Sequence, residues 1–186
     1  MNDFLSKLEQ QRLKKPSSNG QNRGCGRFIL LNSIKSDKCL EYALKSLNKA
    51  NAGIIIDGEH FINIEYSKKF IDSLEFILYY QPCEQKEMFE VILKLLQYKE
   101  LDCIVVNSIV NLLSYTIDSK GVMHYLNKIK TALKSTNTDI IVVNPYNNTI
   151  YNNLEEYFNI IIDVKNEKII KNTLTFNKDM SINDIL

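Results

Sequence analysis

No apolar run in this sequence approaches the ~20 residues needed to cross a bilayer, so no membrane partner is expected. The first residues lack an apolar core run, so no secretory leader is expected and the cytoplasm is the expected location. Excess charge is also missing. Lys and Arg number 23 against 22 Asp and Glu, a formal net charge of +1, so there is no global positive field to hold nucleic acid. Any such contact needs a local patch. Cys25, Cys39, Cys83 and Cys103 are scattered, with no Cys-x-x-Cys pair and no His at ligand spacing. That pattern speaks against zinc and for free thiols in a reducing compartment; no metal site is expected. What remains is an ordinary globular balance, 45% hydrophobic and 24% charged, and 186 residues suffice for one domain with a real core.

The most informative stretch spans residues 53–113. It begins Gly53-Ile54-Ile55-Ile56-Asp57-Gly58-Glu59-His60 and closes on Asp102-Cys103-Ile104-Val105-Val106-Asn107-Ser108. Each end is a short β-branched run that stops at a polar residue, and a helical segment separates them. Two neighbouring strands of a parallel sheet read this way, with polar groups at their carboxyl ends. Ligands of open α/β sheets bind at those ends, so Asp57, Glu59 and Asn107 are expected to share one mouth.

Around this stretch the chain supplies further elements. Residues 3–15 read as an amphipathic helix carrying Phe4, Leu5 and Leu8, followed by a linker through residue 22. Residues 28–31 form a first core strand, then a loop from Asn32 to Cys39 and a helix over residues 40–49. Strand-like runs occupy residues 73–80 and 139–144. Helices are expected over 84–99, with Met88, Val91, Ile92, Leu95 and Leu96 on one face, and over 122–134. Two runs, 157–164 and 168–176, read as a hairpin closing the sheet, and Ile182, Ile185 and Leu186 end the chain as an apolar surface element. The expected division is residues 1–22 as helix and linker, a docking element, and 23–186 as the core domain.

Four ordered blocks carry a family resemblance: Ile56-Asp57-Gly58-Glu59-His60, Tyr66-Ser67-Lys68-Lys69, Tyr80-Gln81-Pro82 and Ile104-Val105-Val106-Asn107-Ser108-Ile109. In order and spacing they resemble the bacterial RecA recombinase family, and Gly26-Arg27 before the first strand fits the same pattern. The resemblance implies a RecA-like, P-loop NTPase-type three-layer α/β fold with a mostly parallel central sheet, without the family's separate C-terminal domain. It also implies a nucleotide site at Lys38, Cys39, Tyr66 and Asn107, with Glu59 matching the catalytic glutamate and Tyr66 the adenine-stacking tyrosine. Structural readings stand beside these: Lys38 as a solvated surface charge, Tyr66 as a half-buried tyrosine, and Glu59 as a helix N-terminal carboxylate.

The resemblance breaks where phosphate and metal would be handled. Asn32 and Asp37 stand at the phosphate-loop glycines, Cys39 at the hydroxyl position, Asn107 at the metal-orienting aspartate and Pro145 at the γ-phosphate sensor. Glycines let backbone N–H groups curl toward phosphate, Asp37 would repel it, sulfur is a soft ligand for Mg²⁺, and a neutral amide removes a charge the metal uses. The segments matching the DNA-binding loops, near residues 114–121 and 146–150, hold no Arg and only Lys120.

The expectation is therefore a degenerate RecA relative without ATPase activity or a resident cofactor, of the kind represented by ImuA and SulA. It would act through protein contacts in DNA repair, recombination or the damage response. Expected partners are RecA, a repair polymerase component or a second copy of the chain, contacted through Phe4, Leu5, Leu8 and the C-terminal residues 182–186. Two alternatives stay open: an ATP- and Mg²⁺-binding switch resting on Lys38, Glu59 and Tyr66, and a single-stranded DNA module resting on Arg12, Lys14, Lys15, Arg23 and Arg27.

Overall fold

The computed structural model describes residues 25–32, 36–59, 62, 64–72, 77–98, 101–109, 117–144, 154–174 and 181–186. The N-terminal helix and linker, with Phe4, Leu5 and Leu8, lie outside them. So do Pro145, residues 114–116 of the first DNA-loop segment, all of the second and the basic residues Arg12, Lys14, Lys15 and Arg23.

Runs such as Ile54-Ile55-Ile56 and Ile104-Val105-Val106 are apolar at every position because their strands are covered on both faces. Among the described residues the strands are β1 (Phe28–Asn32), β2 (Gly53–Asp57), β3 (Ile77–Tyr80), β4 (Cys103–Asn107), β5 (Asp139–Asn144), β6 (Ile160–Asp163) and β7 (Lys168–Asn172). They form one sheet in the order β3-β2-β4-β5-β1-β6-β7. Every pairing is parallel except β6 with β7, the hairpin expected at the C-terminal edge. β2 and β4 are neighbours, with Asp57 opposite Asn107.

Strand alternation sorts the core into two layers. Phe28, Leu30, Ile54, Ile56, Ile104 and Val106 point to one face, where α3 (Gln85–Leu95) and α4 (Ser119–Leu133) cover them. Ile29, Leu31, Ile55, Val105, Ile141 and Val143 point to the other, beneath α1 (Ser36–Ser46). Helices on both faces of a mostly parallel sheet make the three-layer α/β arrangement.

Three helix boundaries differ from the sequence reading. α1 begins at Ser36, not residue 40, and a 3-10 turn (Leu47–Lys49) ends it. Cys39 extends the apolar stripe of Leu40, Ala43, Leu44 and Leu47, and all five are buried. Asp37 falls in the first turn, where the helix dipole favours a carboxylate. α4 starts at Ser119, not residue 122, because Asp118 caps it, accepting from Gly121 N–H at 2.8 Å. α3 stops at Leu95, short of residue 99, yet Met88, Val91, Ile92, Leu95 and Leu96 are all buried as its periodicity indicates. For the strand expected over residues 73–80, the described part is β3; residues 73–76 lie outside.

The C-terminal residues require a correction. Ile182, Ile185 and Leu186, in and just after the helical turn α5 (Ile182–Ile185), are at most 8% exposed and pack into the core on the α1 side. They complete this domain's own interior, so they are not a surface element for a partner.

Gly26 shows why the chain has no side chain two residues before β1. A Cβ there would lie 2.1 Å from the Thr138 carbonyl oxygen and 2.9 Å from Leu133 Cδ2. The Gly26 N–H donates to the Leu133 carbonyl at 2.9 Å, fixing the backbone in place. Since backbone must move to relieve the overlap, Gly26→Ala is expected to cost about 1–3 kcal/mol, read as a lower urea midpoint with unchanged slope. A wild-type midpoint would contradict this close approach.

Candidate functional site

The carboxyl ends of the parallel strands present Tyr80, Asp57, Asn107, Asn144, Asn32 and Asp163 along one edge. β5 lies between β1 and β4, so Asn32 and Asn107 are two strand spacings apart, about 10 Å. α1 leaves β1 at this edge, and its first turn carries Asp37 and Lys38, both exposed. Cys39 follows in sequence but faces inward and is fully buried in the apolar core.

The densest polar cluster lies at the mouth between β2, β3 and β4. Asp57 is 0% exposed and Asn107 2%. Asn107 Nδ2 donates to Asp57 Oδ1 at 2.9 Å, and the Ile62 N–H donates to Asp57 Oδ2 at 2.6 Å. The Tyr79 hydroxyl lies 2.8 Å from Asp57 Oδ2 and also meets the Ile62 carbonyl oxygen, with one proton to give to either. That hydroxyl accepts from Gln81 Nε2 at 2.8 Å. Burial, with the hydrogen bond to Asp57 second, holds the Tyr79 phenol far above the ordinary tyrosine value, so it stays a neutral donor at physiological pH. Both Asp57 oxygens are thus engaged by groups of the protein itself.

Asn107 has a second role. Its carbonyl oxygen accepts from the N–H groups of Gly58, at 2.7 Å, and Glu59, at 3.3 Å. The turn that presents Glu59 is therefore tied to the end of β4. The Asn107–Ser108 peptide is cis. Of the three residues expected at one mouth, Asp57 and Asn107 meet through side chains, and Glu59 joins them through its backbone.

Tyr66, in the short helix α2 (Ile64–Ser67), is half-buried and packs against the α1 side of the core. Its ring packs on Phe70 at 5.3 Å between centroids, and Lys69 Nζ lies 5.6 Å from its centroid. Burial raises its pKa, with smaller contributions from the negative charges of Asp37 and Glu41. Lys38 lies in the first turn of α1, and Asn107 and Glu59 meet at the β2–β4 mouth.

Tyr80 points to the opposite face. Its hydroxyl donates to Glu87 Oε1 at 2.5 Å, and Glu87 Oε2 accepts from the Cys83 N–H at 2.9 Å. Burial and then the Glu87 contact raise the Tyr80 pKa, while the Tyr80 hydrogen bond leads the causes that lower that of Glu87.

The sequence reading did not single out Tyr79, and it quoted Gln81 only within the Tyr80-Gln81-Pro82 block. Tyr79 directly follows Ile77 and Leu78 and reads as strand filler; its hydroxyl gains meaning only because β3 lies next to β2. The available signal was a Tyr-Tyr-Gln run at a strand's carboxyl end.

Arg27 also needs correction. It is 8% exposed, and its Nε and a terminal nitrogen donate to the two oxygens of Asp139 at 2.9 and 2.5 Å. The pair lies at the amino edge of the sheet, opposite the candidate site, so Arg27 supplies no charge to a DNA-facing patch.

Among the described residues no helix is long and apolar enough to cross a membrane, and no three His, Cys, Asp or Glu side chains gather as a metal-binding group. No family model matches the chain. Among curated proteins it is similar to the protein RecA of Bdellovibrio bacteriovorus, with 24% identity across a match covering 75% of this chain. The match takes in 44% of that protein, so the chain spans less than half the length of this relative. Together with a mixed α/β fold, a mostly parallel seven-stranded sheet and a closing antiparallel hairpin, this similarity supports a RecA-like relationship.

Proposed function

We propose that this chain is a RecA-like protein that works without ATP turnover, through protein contacts in recombination or DNA repair. One observation carries the catalytic half of this reading: both oxygens of Asp57 are hydrogen-bonded by Ile62, Tyr79 and Asn107. Those residues do not fit a resident Mg²⁺, which needs hard oxygens free to coordinate it or its waters. Asn107 turns an amide toward Asp57, and Cys39 keeps its sulfur in the core. Phosphoryl transfer depends almost wholly on positioned charge and metal, so little remains to drive it.

Titration of the whole protein with ATP and Mg²⁺ is expected to give no saturable heat at micromolar concentrations, and Lys38→Ala is expected to change nothing. A phosphate-release assay showing turnover that Glu59→Gln abolishes would defeat the reading. A nucleotide-binding switch is the second reading, favoured by one feature: Lys38 is exposed in the first turn of α1, at the carboxyl edge of the sheet. Micromolar ATP binding that weakens in Lys38→Ala would establish it.

The contact half rests on the amphipathic spacing of Phe4, Leu5 and Leu8. RecA, a repair polymerase component or a second copy of the chain is the partner proposed for that segment. Replacing all three residues with Ser is expected to abolish self-association in sedimentation and binding to purified RecA; unchanged binding in both assays removes the segment from the proposal.

A further inference from the structure

We propose that the Asn107 carboxamide holds the β2–β4 mouth closed against divalent cations, doing within the protein what a cation would otherwise do for Asp57. The inference rests on the reading above that the mouth takes no Mg²⁺-nucleotide. It assigns the Asn107 side chain as the positioning residue for Asp57.

Asp57 is fully buried, and a buried carboxylate persists only where donors or a cation satisfy it. Its donors here are all neutral: the Ile62 N–H, the Tyr79 hydroxyl and Asn107 Nδ2. Asn107 comes from β4, directly in register with Asp57, while Tyr79 comes from β3 on the other side of β2. The backbone carbonyl of the same residue separately accepts from the Gly58 and Glu59 N–H groups. Removing the side-chain amide therefore acts on the carboxylate of Asp57 and leaves the backbone contacts of the loop after it in place.

The chemistry of residue 107 decides which ligand the mouth takes. With an amide, the 2.9 Å contact to Asp57 is a hydrogen bond. A carboxylate in its place would set acceptor against acceptor, with two negative oxygens about 3 Å apart in a buried site. Two carboxylates that close cannot both stay ionised without a bridging proton or cation. Asn107→Asp is thus expected to convert a closed, cation-indifferent mouth into a cation-dependent one, with no change of side-chain shape.

The test is thermal unfolding of the full chain in EDTA and in millimolar Mn²⁺ or Mg²⁺. Wild type is expected to melt at the same temperature in all three. Asn107→Asp should fall on the order of 10 °C in EDTA and regain most of that loss in Mn²⁺. The swapped pair, Asp57→Asn with Asn107→Asp, restores one amide facing one carboxylate and should recover most of the loss in EDTA alone. A residue that merely fills space would show neither the cation dependence nor the rescue by exchange. The proposal is overturned if wild type gains stability from Mn²⁺, if Asn107→Asp melts with wild type in EDTA, or if Mn²⁺ leaves its melting unchanged. It is also overturned if the swapped pair is no more stable than the single variant, and that comparison still decides where Asn107→Asp fails to fold in EDTA. ATP binding by wild type would defeat the functional reading separately, since it is read by titration and not by these melting shifts.

Discussion

Asp139→Ala is expected to lower the unfolding free energy by about 3–5 kcal/mol, the range for removing one partner of a buried ion pair. The side chains of Arg27 and Asp139 are only 9% and 13% exposed, so the guanidinium left behind cannot recover its hydration. Asp139 also accepts from the Arg27 backbone N–H at 3.0 Å, so its loss leaves three donors of one residue unmatched. In a chain of 186 residues this corresponds to a fall in Tm on the order of 10 °C. The double variant Arg27→Met with Asp139→Leu should recover most of the loss, because the cost lies in an unpaired buried charge and not in the absence of the pair. Urea unfolding of all three proteins decides it; an Asp139→Ala variant within about 1 kcal/mol of wild type would show that water reaches the pair.

The position of this pair matters for the site at the other end of the sheet. Arg27 precedes β1, Asp139 opens β5, and the two strands run parallel and adjacent to the carboxyl edge. Clamping their amino ends helps fix the register in which Asn32 stands beside Asn144. The pair joins residues 112 positions apart, so neither partner carries a local signal of the other. Read by itself, Arg27 belongs to a run of basic residues near the N-terminus, and its pairing with Asp139 appears only once β1 and β5 are neighbours.

The strands were legible because burial on both faces leaves a continuous β-branched run, as in Ile54-Ile55-Ile56 or Ile140-Ile141-Val142-Val143. Their order was not. Inner strands of a parallel sheet look alike in pattern, and nothing in Asp139–Asn144 says that it lies between β1 and β4. Helix starts were lost where a small residue served the core or a cap. Cys39 was assigned to a loop through the resemblance, yet its burial shows it as the first member of an apolar stripe. Asp118 lay in a polar stretch whose capping role depends on Gly121 three residues on. At the site, the ends of two strands announced Asp57 and Asn107, and Asn107 was read as a charge removed from a metal position. Its positive role, an amide donor to Asp57, needed the register that sets the two residues opposite each other.

Alkaline unfolding gives the other large effect, and Cys103 is its source. The thiol is buried at the start of β4, and burial, with the nearby Asp139 charge second, pushes its pKa up to about 12 from an ordinary value of 9.0. In the unfolded chain it releases its proton near the ordinary value, while in the folded chain it keeps it. The contribution to stability is therefore whole below pH 9 and declines as pH rises from about 9 toward 12, where the folded thiol also ionises. By pH 10.5 the loss amounts to about 2 kcal/mol. Tyr79 and Tyr80, whose phenols are also held up by burial, add a loss of the same sign at higher pH. Cys103→Ala isolates the thiol from these, since both tyrosines remain in the variant. Ser46 keeps its hydrogen bond to the Ala43 carbonyl at 2.6 Å, so deleting the sulfur orphans no hydroxyl. In urea titrations under reductant, wild type should lose about 2 kcal/mol more than Cys103→Ala between pH 8.5 and 10.5. A difference between the two proteins that stays constant across that range would mean that solvent reaches the thiol and that β4 is not sealed at its amino end.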